Sequence, residues 1–193
     1  LPVMEGKAIL FKEFADIDAF PICLASQDPR TPIATIKNIA PGFGGINLED
    51  IKAPECFVIE NALQDLGIPV MHDDQHGTAV VVLAGMINAL KIKKKDISEV
   101  KIVVNGAGAA GIAISKLLMS YGAKGLHFTL CDSKGMIYFG REDFSSSPEK
   151  QELSQKTNLA RKKGTLEDAL RGADVFIGVS KKDLVTKAMV ESM

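Results

Sequence analysis

The 193 residues combine 46% hydrophobic and 24% charged side chains with a formal net charge of −1, the balance of an ordinary globular chain able to build one or two cores. Near-neutral charge excludes a general electrostatic affinity for nucleic acid or for an anionic membrane surface. No stretch reaches the roughly 18 consecutive apolar residues of a membrane span and no signal-peptide pattern opens the chain, so the expected compartment is the cytoplasm or an organelle matrix.

From Lys7 to Leu90, short apolar runs (Ala8–Phe11, Phe20–Leu24, Ile46–Leu48, Ile68–Met71) alternate with helix candidates near Pro32–Ile39, Glu55–Leu66 and Thr78–Leu90. This is the grammar of an α/β fold. Two of the runs end in carboxylate pairs, Glu49-Asp50 and, after His72, Asp73-Asp74. Open α/β sheets collect ligands beyond the carboxyl ends of their strands, and three such carboxylates suit a hard divalent cation such as Mg²⁺ or Mn²⁺. Residues of this type also cap turns and helix starts, and the pairs by themselves leave both readings open. His72 and His76 flank the second pair and read as supports of the ligand carboxylates or as structural, since an oxygen-ligand site needs no imidazole. Thr78 is the expected cap of the last helix, whose apolar content on all sides predicts burial between layers. The basic run Lys91-Ile-Lys-Lys-Lys95 closes that helix and reads as solvated charge at its negative end. Polar Lys93–Glu99 then serves as a connector, dividing the chain into a substrate- and metal-binding part, 1–95, and a second domain, 96–193.

The second domain opens with Val100–Asn105, a β-branched run that leads into Gly106-Ala-Gly-Ala-Ala-Gly111 and an amphipathic helix, Ile112–Tyr121, closed by Gly122. His127–Leu130 is the next strand, and Asp132 follows Gly111 by 21 positions. Strand, glycine turn, helix and acidic residue stand in the order of the dinucleotide-binding fingerprint. Gly106 permits the tight turn, Gly108 admits the pyrophosphate, and Gly111 lets helix and strand pack closely. With Ala109 and Ala110 these residues present free N–H groups at a helix N-terminus to the phosphates. Asp132 is suited to the ribose hydroxyls of NAD, while Ser133 and Lys134 offer a hydroxyl and an ammonium to the 2′-phosphate of NADP. The expected cofactor is therefore NAD or NADP. A loop at Ser145–Pro148, a charged helix and a short helix over Thr165–Leu170 precede a buried strand, Ala173–Val179, which places Val179 and Ser180 at the cofactor crevice, with Asn105 opposite. About three strands of a six-stranded doubly wound parallel sheet are present, so the second domain is an incomplete Rossmann-like domain. Together with the start at Leu1, this reads as a piece of a longer polypeptide. Cys23, Cys56 and Cys131 lack metal or disulfide spacing and read as buried reduced thiols.

Taken together, Leu1-Pro-Val-Met-Glu-Gly-Lys7, Gly44-Gly-Ile-Asn-Leu-Glu-Asp50, His72-Asp-Asp-Gln-His-Gly-Thr78 and the glycine fingerprint resemble malic enzyme of the compact bacterial type over nearly the whole chain. The resemblance implies oxidative decarboxylation of L-malate to pyruvate and carbon dioxide with NAD or NADP and a divalent metal. It also implies Glu49, Asp50 and Asp74 as metal ligands, Lys7 as general base, Asp73 as the partner of that lysine, and a homodimer. The family's tyrosine acid has no counterpart, since Tyr121 and Tyr138 lie in the cofactor domain, and its downstream asparagines fall beyond Met193; turnover by this stretch alone is not expected. The alternatives are a metal-independent two-domain dehydrogenase of the amino-acid type and a non-catalytic nucleotide-binding module.

Overall fold

The computed structural model describes residues 1–144 and 147–193, with only the backbone of Phe144. The backbone forms two compact units, one of residues 1–51 and 55–71, the other of residues 52–54 and 72–193. The expected loop at Ser145–Pro148 lies outside the described residues except for Ser147 and Pro148, which open a helix.

In the first unit, α1 (Pro2–Ala15) and α2 (Arg30–Ile39) precede β1 (Ile46–Leu48), α3 (Glu55–Asn61) and β2 (Val70–His72), and β1 pairs with β2. Ile36, Leu48, Ile59 and Leu63 form its core, with Ile33, Ile46 and Val70 packed against them. Two apolar runs behave differently from the sequence reading. Ala8–Phe11 lies inside α1, and Phe20–Leu24 forms no regular element. The first is flanked by helix formers behind a proline at the first turn, and a four-residue run cannot by its periodicity tell strand from helix. α3 stops at Asn61, short of the expected Leu66.

The second unit begins with α4 (Asp73–Lys93) and continues through β3 (Ile102–Asn105), α5 (Ala109–Tyr121), β4 (Phe128–Asp132), β5 (Gly135–Met136), α6 (Pro148–Lys156), α7 (Leu166–Leu170), β6 (Val175–Gly178) and α8 (Lys187–Glu191). The sheet order is β5-β4-β3-β6. Central β3 runs parallel to both β4 and β6, while β5 adds an antiparallel edge that the sequence did not signal. Every residue of β3 is buried, as expected of an inner parallel strand covered on both faces. β6, expected to be buried, is only half-buried because it is the last strand of the sheet. The register sets Asn105 beside Cys131 on one side and Gly178 on the other, so three parallel strands end at one edge. On one side of the sheet Val103, Cys131, Leu170, Ala173 and Met189 make a core.

α4 starts five residues before the expected Thr78 cap. Asp73 and Asp74 occupy its first turn, where the helix dipole favours anions. Gly77, read as the residue before the helix, is inside it: a Cβ there would meet Asp73 Oδ1 at 2.1 Å. Nor is α4 a spine buried on all sides. It packs along α5, and Val80, Val81 and Ile92 are exposed. That packing also groups α4 with the second compact unit of the backbone. Cys56 and Cys131 are buried thiols as expected, but Cys23 is exposed because its segment joins no core. Of the basic run, Lys95 is paired with Asp174. Among the described residues no helix is long and apolar enough to cross a membrane.

Candidate active site

In the first unit, α1 carries Lys7 to the end of β1, where its Nζ lies 3.4 Å from Glu49 Oε2. The same oxygen accepts a hydrogen bond from Asn47 Nδ2 at 2.9 Å. Alternation along β1 explains why Asn47 and Glu49, two residues apart, share a face. Asn47 escaped the sequence reading because one asparagine in a strand carries no signal; its Oδ1 is buried without a hydrogen-bond partner among the described residues. Asp50 is exposed and adopts φ 57°, the left-handed region that an aspartate tolerates better than most residues. Lys7 and Glu49 are thus brought together, and Asp50 is adjacent in sequence.

In the second unit, Asp73 and Asp74 crown α4. Asp73 folds back over its own first turn toward Gly77, and Asp74 Oδ2 stands 3.7 Å from Nε2 of the fully buried His72. The oxygen chemistry of Glu49, Asp50 and Asp74 suits a hard cation, but no group of three or more His, Cys, Asp or Glu side chains is arranged to hold a metal among the described residues.

The glycine turn is built as its spacing requires. Gly106 has φ 119°, and a Cβ on it would stand 2.7 Å from the carbonyl oxygen of Val179 and 3.2 Å from Ser180 Cβ. Gly111 is tighter still, its Cβ position lying 1.6 Å from Gly106 O and 3.6 Å from a Val179 methyl. Val179 N–H donates to Asn105 O at 2.9 Å. The residues expected at the crevice, Asn105, Val179 and Ser180, therefore surround the turn. Gly108 caps α5, and a Cβ there would meet nothing within 4 Å among the described residues. Open space in front of a glycine, ahead of the free N–H groups of Ala109, Ala110 and Gly111, is the cradle that a pyrophosphate fills.

Asp132 ends β4, and its carboxylate is held by basic neighbours. Oδ2 is paired with Arg141 Nη2 and lies 3.2 Å from Lys150 Nζ, while Oδ1 accepts from the Lys134 backbone N–H at 2.9 Å. Burial by itself raises the pKa of Asp132, but hydrogen bonds from Arg141, the Lys134 N–H and Lys150 outweigh it and hold the carboxyl below the usual range. Arg141 and Lys150, in a loop and on α6, were not singled out from the sequence because nothing local links them to Asp132. Ser133 and Lys134 follow in the exposed turn, where Lys134 pairs with Asp143 at 3.0 Å. Burial, then the charge of Asp132, pushes the neighbouring Cys131 thiol up to about 12, leaving it an inert core group.

A carboxyl whose folded pKa is depressed stabilises the fold fully above its unfolded value, about 3.9, and loses that contribution as pH falls through the folded value. Denaturation midpoints of the wild type and Asp132→Asn are therefore expected to differ above about pH 5 and to converge in stronger acid. A gap that persists unchanged at about pH 2 would show that the contribution is not ionic.

A model of the family described as malic enzyme, NAD binding domain, matches residues 75–193. Over its whole length the chain is 55% identical to the bifunctional malic/malolactic enzyme of Bacillus subtilis, of which it covers 47%. It is 53% identical to the NAD-dependent malic enzyme of Geobacillus stearothermophilus, of which it covers 40%. The NADP-dependent malic enzyme of Escherichia coli is 48% identical, with 25% of it covered. The crystal structure of the NAD-dependent malic enzyme of Thermotoga maritima superposes with a TM-score of 0.94 at 50% identity, over all of this chain and 51% of that one. The chain thus spans about half or less of the length of these relatives. A glycine turn of this geometry, matched over most of the second unit by the family's nucleotide-binding domain and over the whole chain by its members, establishes that the chain belongs to the malic enzyme family.

Proposed function

We propose that the protein oxidises L-malate and releases carbon dioxide to give pyruvate, with reduction of NAD or NADP. The observation that supports this best is the match, over the whole of this chain and 40% and 25% of the relatives' length, to malic enzymes of both cofactor types. The dinucleotide pyrophosphate rests on Gly106, Gly108, Ala109, Ala110 and Gly111, with Val179 and Ser180 at its side; Asp132, Ser133 and Lys134 belong to the adenosine end. We assign the malate chemistry to the residues of the carboxylate motifs. Lys7 takes the proton of the C2 hydroxyl, and Glu49 orients it in the arrangement described above. Asp73 is assigned as a further partner of that lysine, and Glu49, Asp50 and Asp74 as the ligands of Mg²⁺ or Mn²⁺. A divalent ion, when bound, polarises the C2 oxygen and stabilises negative charge as carbon dioxide leaves. We also assign the division of labour at 95/96, a homodimeric state and a cytoplasmic or organelle-matrix location.

The test is an assay of the intact polypeptide that carries this stretch, with malate, each cofactor in turn, and Mg²⁺ or Mn²⁺ added or chelated. Reduced cofactor and pyruvate are expected in equal amounts, and chelation is expected to abolish both. Activity that survives chelation would return the metal-independent dehydrogenase reading, and neither product would remove the catalytic assignment.

A further inference from the structure

Glu49 is nearly enclosed, with a side chain 8% exposed, yet its two oxygens are used unequally. Lys7 Nζ at 3.4 Å and Asn47 Nδ2 at 2.9 Å both meet Oε2, and Oε1 carries no hydrogen bond or ion pair among the described residues. The asymmetry begins with β1. Ile46 and Leu48 enter the apolar core, so alternation along the strand places Asn47 and Glu49 together on the other face. Their bond also decides which way round the Asn47 amide stands: turned over, its carbonyl oxygen would face Oε2, two acceptors with no proton between them. Asn47 Oδ1 is thereby left buried and without a hydrogen-bond partner among the described residues. A buried acceptor in that state costs stability, and leucine, close to asparagine in size, would avoid the cost. What the amide supplies instead is a fixed carboxylate.

Fixing one oxygen matters for the kind of ion that the other can hold. Ca²⁺ readily takes a carboxylate through both oxygens, whereas Mg²⁺ demands an octahedral shell of single oxygens and keeps several waters. On the reading that Glu49 is a ligand of the divalent ion, we propose that Asn47 is a positioning residue of this site: it commits Oε2 to the protein and leaves Oε1 as the single oxygen that Glu49 offers to the cation. Asn47 itself touches neither the ion nor malate. It acts through the carboxylate, and loss of a group that orients a metal ligand weakens metal binding about 10–100-fold.

The experiment is titration of Mn²⁺ into the intact polypeptide that carries this stretch, with free Mn²⁺ followed by electron paramagnetic resonance and Ca²⁺ added as competitor, for the wild type, Asn47→Leu and Asn47→Ala. A thermal melt and an NADH titration of each variant report on folding and on the second unit. Asn47→Leu is expected to bind Mn²⁺ about tenfold more weakly, to lose less affinity for Ca²⁺, and to keep the NADH affinity and at least the melting temperature of the wild type. Asn47→Ala is expected to show the same change in ion affinities at a lower melting temperature, because it leaves a gap. Unchanged Mn²⁺ affinity in either folded variant overturns the proposal. So does a loss that is equal for Mn²⁺ and Ca²⁺ or is matched by NADH, and so does failure of both variants to fold, since Asn47 would then be a structural tie only. A wild type that binds no Mn²⁺, or a Glu49→Gln variant that binds it as the wild type does, would instead refute the underlying reading of Glu49 as a ligand, and the proposal with it.

Discussion

Gly111→Ala is expected to abolish dinucleotide binding and to destabilise the second unit, whereas Gly108→Ala is expected to fold normally and still bind poorly. The two substitutions add the same methyl group three residues apart, and geometry separates them. At Gly111 the new Cβ falls 1.6 Å from a backbone oxygen, that of Gly106, which cannot swing aside as a side chain can. The turn must open or α5 must lift from β3, at a cost of about 1–3 kcal/mol or more for overpacking, and the N–H groups lose their aim. A loss of at least about 100-fold in affinity, ~2.7 kcal/mol, is the expected reading. At Gly108 the backbone has φ −93°, ordinary for alanine, and no described residue beyond its neighbours lies within 4 Å of an added Cβ. The melting temperature should therefore stay close to the wild type, while affinity falls because the methyl occupies the approach of the pyrophosphate. Equal stability losses in the two variants would mean that the space before Gly108 is not a ligand cradle.

Lys7→Ala is the second large effect, read in turnover rather than in stability. A general base contributes about 10²–10⁴-fold, so kcat of the intact polypeptide is expected to fall by a factor in that range. The ion pair it makes with Glu49 is partly exposed, at 27% for the lysine, and such pairs are worth only ~0–1 kcal/mol. The melting temperature should accordingly move little, and Asn47 continues to hold the Glu49 carboxylate. Lys7→Arg separates base from counter-ion: guanidinium keeps the charge opposite Glu49 but does not give up a proton near neutrality. Activity restored by arginine would reduce Lys7 to a partner of Glu49; activity lost in both variants supports its role as base.

The two sites differed in how far the sequence could describe them. The turn from Gly106 to Gly111 was legible because its constraints are local: strand, glycine spacing and helix are consecutive, and their steric logic recurs in the Cβ positions of the fold. Val179 and Ser180 were legible for a related reason, since the third apolar run had to enter the same parallel sheet and end at its edge. α1 was not, because Ala8–Phe11 fits a strand and one turn of helix equally well. The start of α4 was missed because Gly77 reads as a breaker until the Asp73 side chain is seen to need the space it leaves.

The sequence by itself determined that this chain carries an α/β nucleotide-binding core with a malic-enzyme motif set, because those signals are patterns of neighbours and of period along the chain. Only the tertiary structure decided what the charges do. Lys7 meets Glu49 across 42 positions, and Asp132 is claimed by Arg141 and Lys150 from a loop and a helix that follow it. An ion pair depends on which side chains the fold places within a few ångströms of one another, and Coulombic attraction leaves no periodic trace in the sequence that would reveal the partner.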